Sequence, residues 1–180
     1  MAEFLITVRT IAIFPMAWGF THKATTKPLA NCRVGTADTK ALWKDSWFRR
    51  RCVIPASWYY EWGYPLYDED NCSMAEYRNT KKIKFAIQTE GSEITYIAGL
   101  YRYEEHSGMQ VPMFTVLTRE AVGSVRDIHD RMPVILDKDS LRDWIRPDGD
   151  PSAIVDKALS NMFFETAVEY HRSPNEFITA

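Results

Sequence analysis

Three short stretches carry side chains able to move protons or to hold an anion. In DIHDRMPVIL, residues 127–136, a histidine, two aspartates, an arginine and a proline lead directly into the apolar run Val134 to Leu136. An imidazole such as that of His129 can give or take a proton near neutral pH, and the same ring is equally at home as a hydrogen-bonded structural group. In RRRCVIPASWYYEW, residues 49–62, Glu61 stands between Tyr60 and Trp62. If this run is a strand, the carboxylate shares a face with Tyr59 and Gly63, where it is either a rim group or partly desolvated. Partial burial would raise its pKa and make it a proton donor or acceptor. The arginines 49 to 51 read as a solvated helix end sooner than as a phosphate site. In NCRVGT, residues 31–36, Asn31 offers an amide that both donates and accepts, and Arg33, two positions on, shares its face in an extended chain. A guanidinium there could hold a phosphate with two parallel hydrogen bonds; a turn-forming Asn and a surface Arg are the plainer alternative. Trp18, in AWGF, is either core or an exposed indole on which a base can stack.

The elements that must position these groups are mostly strands. RCVIPASWYYEW (51–62), KFAIQTE (84–90), ITYIAGLYRY (94–103), VPMFTVLT (111–118) and MPVIL (132–136) are rich in β-branched and aromatic residues. Helical patterns are fewer: ADTKALWKDSWFRR (37–50), a short helix in TREAVGSVRDIH, DKDSLRDWI with its capping residues, and DPSAIVDKALSNMF, where Asp150 can cap and Pro151 suits the first helical position. The polar stretch 63–82 reads as a surface excursion between strands. No repeat or linker interrupts the chain, so 180 residues make one α+β domain, 1–180, with a core of its own.

Composition narrows the partners. With 46% hydrophobic residues the chain is globular, and a formal net charge of -2 leaves no overall basic field, so any nucleic acid would have to be held by a local patch. Three cysteines, Cys32, Cys52 and Cys72, form no CxxC pair and fit a reducing compartment, which with the lack of a signal peptide places the protein in the cytoplasm. No apolar run reaches the roughly 18 residues of a membrane span, so no membrane partner is expected. No metal or cofactor is implied.

Taken in order, WGF, NCR, RRRCVIPASWYYEW, IAGLY, FTVLT and IHDRMPVIL resemble the SRAP family, the SOS response-associated peptidases or abasic-site processing proteins. The resemblance spans residues 18–136, and its RRCVIPASWYYEW and IHDRMPVIL blocks each match over nine or more positions. It implies a β-rich α+β fold, a compact barrel-like sheet with peripheral helices, acting as a monomer on single-stranded DNA that carries abasic sites. In that family an N-terminal cysteine, exposed by autoproteolytic loss of the initiator methionine, captures the ring-opened aldehyde as a stable thiazolidine. Carried over by motif, Asn31 positions the amino terminus or the opened sugar, Glu61 manages protons during capture, and His129 acts as acid or base. Arg33, Thr118 and Arg131 match positions that hold the DNA backbone, and Trp18 matches an aromatic near the lesion. Asn31, Glu61 and His129 are therefore expected to converge on one concave site.

The sequence departs from the family in three places. It opens Met-Ala-Glu-Phe where the family opens Met-Cys-Gly-Arg, Gly35 replaces the usual glutamate, and the stretch from Glu61 to His129 is long, consistent with an insertion at 63–82. Without the leading cysteine, and with the usual N-terminal segment expected to be missing, an amine could form only a transient Schiff base with the aldehyde. Two other readings stay open on the residues: a noncatalytic single-stranded DNA-binding module, and a cysteine hydrolase with Cys32 or Cys52 as nucleophile and His129 as base.

Overall fold

A computed structural model of the chain describes residues 13–64, 81–89, 91–146, 148–165 and 168–172. In chain order its strands are β1 (Ala17–Trp18), β2 (Phe20–His22), β3 (Thr25–Leu29), β4 (Asn31–Arg33), β5 (Arg51–Ala56), β6 (Tyr59–Gly63), β7 (Ile83–Thr89), β8 (Thr95–His106), β9 (Met109–Glu120), β10 (Arg131–Pro133), β11 (Ile135–Leu136) and β12 (Val168–Arg172). The helices are α1 (Ala41–Arg49), α2 (Lys138–Ile145) and α3 (Pro151–Glu165), with short 3-10 turns at Val34–Thr36 and Gly123–Asp127. The α+β class expected from the sequence holds.

The frame is the hairpin of β8 and β9, paired from Gly99↔Val116 to His106↔Met109. Ser107 and Gly108 close it with φ of 54° and 80°, the two positive values that a two-residue turn needs to match the twist of its strands. Strand β9 is the axis of a seven-stranded sheet. Strand β8 runs antiparallel to it, while β1 and β4 run parallel to it in succession, β1 against Met113 and Phe114 and β4 against Val116 to Thr118. Beyond Leu117, β10 pairs with Thr118 to Glu120, and β11 returns to β8. A three-stranded sheet, β12-β7-β6, and the hairpin of β2 and β3 complete the strands.

Alternation along β9 divides the core in two. Met113 and Leu117 point to the face covered by the helices, where Cys32, Trp43, Trp47, Leu100, Trp144 and Val155 pack with them. Val116 points the other way, toward Tyr59, Phe85 and Ile87 of the three-stranded sheet and toward Val125 and Ile128. A shift of one residue in any of these pairings would exchange the two faces, so the apolar pattern on both sides fixes the register.

The expected strands are present, with instructive differences. RCVIPASWYYEW is not one strand: it breaks at Ser57 and Trp58, sending β5 to the large sheet and β6 to the small one. The helix expected over 37–50 begins at Ala41. In TREAVGSVRDIH only Gly123–Asp127 winds helically, because Glu120 is still committed to the sheet through Arg131. Asp137 and Asp150 do cap their helices, accepting from the Ser140 amide at 2.5 Å and the Ser152 amide at 3.0 Å. Of the excursion read over 63–82, residues 65–80 lie outside the described residues, as does Cys72.

Arg51 overturns the reading of arginines 49 to 51 as one solvated helix end. Arg49 and Arg50 are at the surface beside Asp45, but Arg51 is 5% exposed. Its guanidinium donates to the carbonyls of Trp47 and Phe48 at the end of α1, of Trp144 and Arg146 at the end of α2, and of Gly149. These carbonyls include the orphaned acceptors of two helix C-termini, so one buried cation satisfies both ends.

Candidate active site

Glu61 reaches the site from β6, whose residues alternate between an inner face of Tyr59, Glu61 and Gly63 and an outer face of Tyr60 and Trp62. His129 follows the 3-10 turn that packs Val125 and Ile128 against the same inner face. Far apart in sequence, the two side chains meet: His129 Nε2 lies 3.9 Å from Glu61 Oε2. Neither is deeply buried, with side chains 35% and 26% exposed, so a substrate can reach both.

Gly63 permits this approach. A Cβ on Gly63 would sit 2.7 Å from both Cγ2 and the carbonyl oxygen of Ile128, closer than real contacts allow. The missing side chain lets the residue before His129 press against β6, two positions from Glu61. A glycine after a strand reads in sequence as a turn, so this role was not visible there.

The protons of the pair follow from the backbone around it. The Arg131 amide donates to His129 Nδ1 at 3.0 Å, which in the neutral ring leaves the proton on Nε2, facing Glu61. In the charged ring, Nδ1–H has the Arg131 carbonyl at 3.1 Å and the Asp130 carboxylate at 3.2 Å as acceptors. Burial pushes the Glu61 carboxyl above the ordinary carboxylate range; His129 nearby opposes that shift and Asp130 adds to it. An acid with a raised pKa beside an imidazole is an arrangement able to exchange a proton with a bound group near neutrality.

The basic groups sit beside this pair on the same side of the large sheet. Arg131 donates to the carbonyl of Thr118 at 2.8 Å and to its hydroxyl at 3.2 Å. Arg33 is the register partner of Thr118 on the opposite flank, and Asn31, two positions before it, is the partner of Val116. Both Asn31 and Arg33 are exposed, while Cys32 between them is buried on the other face. Trp18 pairs with Phe114, again on the same face, and is 59% exposed. The structure thus joins Glu61 to His129 by direct approach, joins Thr118 to Arg131 by hydrogen bonds, and carries Trp18, Asn31 and Arg33 to the same face by strand register.

The thiols have a different place. Burial pushes Cys32 and Cys52 up to about 12, so neither is a thiolate near neutral pH, and Cys32 lies in the core beneath the helices, across the sheet from Val116 and the His129 side. A cysteine hydrolase built on either thiol loses its nucleophile. Among the described residues no group of three or more His, Cys, Asp and Glu side chains could hold a metal ion, and no helix is long and apolar enough to cross a membrane.

A family model described as SOS response associated peptidase (SRAP) matches residues 5–175. Among curated relatives, the abasic site processing protein YoaM of Bacillus subtilis (strain 168) is 32% identical over 120 residues, 66% of this chain and 48% of that protein. The abasic site processing protein YedK of Escherichia coli (strain K12) is 28% identical over 133 residues, 73% of this chain and 54% of that protein. The chain therefore spans about half the length of the curated relatives it matches. A crystal structure of a Bordetella bronchiseptica protein superposes with a TM-score of 0.65 at 22% identity, covering 88% of this chain and 74% of that one, which is a likeness of fold.

Proposed function

The chain belongs to the SOS response associated peptidase family, and from that premise we propose that it processes abasic sites in single-stranded DNA, with Glu61 and His129 moving the protons. The observation that carries the proposal is the approach of His129 Nε2 to Glu61 Oε2 at 3.9 Å, at the edge of a face that also presents Asn31, Arg33 and Arg131. Relatives named abasic site processing proteins support the substrate class.

An abasic deoxyribose is mostly a closed hemiacetal and must open before any nucleophile can reach its aldehyde. Opening breaks the bond between C1′ and the ring oxygen: a base removes the hydrogen of the C1′ hydroxyl, and an acid gives a proton to the departing ring oxygen. The charged His129 ring gives its Nε2 proton to the departing ring oxygen while Nδ1–H stays on the Arg131 carbonyl and Asp130, the Glu61 carboxylate, made more basic by burial, takes the hydroxyl hydrogen, and return of that proton from Glu61 to Nε2 resets the pair. Either direction of that relay uses the same two atoms. Asn31 is placed to hydrogen-bond the opened sugar, and Arg33 and Arg131 to hold the flanking phosphates. Trp18 offers an exposed ring to a neighbouring base. Autoproteolytic exposure of an N-terminal cysteine and thiazolidine closure are what the family resemblance implies for the covalent step.

A noncatalytic binding module uses the same basic and aromatic residues, but it gives no reason for a half-buried carboxyl beside an imidazole. The two readings separate in one experiment. Anisotropy titration with single-stranded DNA measures binding, and borohydride trapping with an abasic oligonucleotide measures capture. The proposal expects Glu61→Gln and His129→Ala to slow trapping by about 10²-fold or more while leaving binding within a few-fold. Binding without trapping by the parent would establish the binding module instead, and equal trapping rates in all three proteins would remove Glu61 and His129 from the chemistry.

A further inference from the structure

We infer that the single strand continues from the Glu61 and His129 site across an aromatic strip formed by Trp18, Phe114, Tyr101 and Tyr103, toward the turn of the β8–β9 hairpin. The inference rests on the proposed function and extends it to the part of the DNA that flanks the lesion.

Strand register places the four rings. Trp18 is the partner of Phe114 across the β1–β9 ladder, and Tyr101 is the partner of Phe114 across the β8–β9 ladder. Tyr103, two positions along β8, shares the face of Tyr101 and is the partner of Pro112. Paired residues and residues two apart share a face, so all four rings lie on the side that carries Asn31, Arg33 and Thr118. From Thr118 to Pro112 this face is roughly 20 Å long at the rise of an antiparallel strand, and the rings fill its last third, from Phe114 to Pro112.

The rings are open and held in place. Trp18 is 59% exposed and Tyr103 54%, large apolar areas to leave in water. The Trp18 indole donates its N–H to the Ala30 carbonyl at 2.9 Å and lies parallel to Phe114, with centroids 6.1 Å apart. Tyr101 and Tyr103 meet edge to face at 6.2 Å, so their planes form a corner. Rings already fixed lose little freedom when a base stacks on them, which favours binding.

Charge selects the occupant. Along this face the side chains from Thr118 to Pro112 on β9, and Tyr101 and Tyr103 on β8, include no acid; acids stand at its two ends, Glu120 beside Arg131 and Glu105, partner of Gln110 near the turn. Glu104, which would repel phosphate, points to the opposite face, where it accepts from the amide and hydroxyl of Thr21 and pairs with Arg102. An uncharged aromatic floor that begins at Trp18 and Phe114, one step along the face from Asn31 and two from Arg33, suits the bases of a strand whose phosphates the arginines hold.

The test uses unmodified oligothymidylates of increasing length, at one salt concentration, so that no chemistry at a lesion contributes. Tyr103→Ala is expected to weaken binding of the longer oligomers by about 5- to 150-fold and to leave the shortest bound oligomer unchanged, with Tyr103→Phe restoring the ring and the affinity. Arg33→Ala is expected to weaken every length. Because Tyr103 is exposed, a matching thermal melt should show Tyr103→Ala folded as the parent is. If Arg33→Ala weakens binding but Tyr103→Ala affects no length, or all lengths alike, the strip is not the path of the strand. If Tyr103→Ala changes only the oligomeric state, the face joins copies of the chain and the inference is wrong. Failure of the parent to bind any oligomer would overturn the DNA-processing function itself.

Discussion

At the scale of single residues, one carboxyl, that of Glu61, is kept unusually ready to hold a proton. Burial raises Glu61, so the folded protein keeps that proton to higher pH than the unfolded chain does. Between the ordinary glutamate value of about 4.3 and the raised folded value, the folded state binds more protons, and stability falls as pH rises through that window. Glu61→Gln should abolish this component: urea midpoints of parent and variant, compared from pH 4 to 7, should diverge in favour of the variant as pH rises. A constant difference across that range would mean that Glu61 titrates as an ordinary surface acid. His129 was legible in the sequence because HDRMP matches a known motif, but its tautomer was not. That follows from the Arg131 amide, whose direction only the folded turn defines.

At the scale of elements, the pair exists because β6 and the 3-10 turn touch without an intervening side chain. Gly63→Ala places a methyl group against Ile128, an overpacking that typically costs about 1–3 kcal/mol, and it should move His129 away from Glu61. In the parent, Glu61→Gln should move the NMR resonances of the His129 ring at a fixed pH; with Gly63→Ala in place that change should shrink. Gly35→Ala, which meets nothing within 4 Å, serves as the control. Arg51 sets a different limit. Replacing it by Met leaves carbonyls at the ends of α1 and α2 without their donor, at about 1–3 kcal/mol for each buried acceptor left unsatisfied; denaturant melts should show a loss of about 3 kcal/mol or more. The long strands were readable because β8 and β9 are rich in β-branched and aromatic residues. Strands β1 to β4 were not: Thr25–Leu29 is almost wholly exposed and carries no period of two, and β4 is defined by parallel pairing to a strand more than 80 residues away. Arg51 was misread for a related reason, since the carbonyls that bury it come from a helix that follows it by over 90 residues.

At the scale of the whole molecule, the proposed function asks a protein with a net charge of -2 to hold a polyanion, a task that falls to a local group of arginines. Affinity for single-stranded DNA should fall steeply with salt, and Arg33→Ala should flatten the dependence of log K on log salt by about one unit; an unchanged slope would put Arg33 outside the path of the strand. The two faces of the large sheet explain how binding and folding coexist. The helices and Arg51 cover one face; on the other the small sheet and the Val125–Ile128 turn bury Val116 and Ile97, and Trp18, Asn31, Arg33 and Tyr103 stay exposed around that second core. If Glu61 and His129 act on an abasic sugar held on that face, the rate of borohydride-trapped adduct formation with an abasic single-stranded oligonucleotide reads their contribution. His129→Ala should lower that rate by about 10²-fold or more at saturating protein, with DNA affinity unchanged within a few-fold; a variant that traps as fast as the parent would contradict the account.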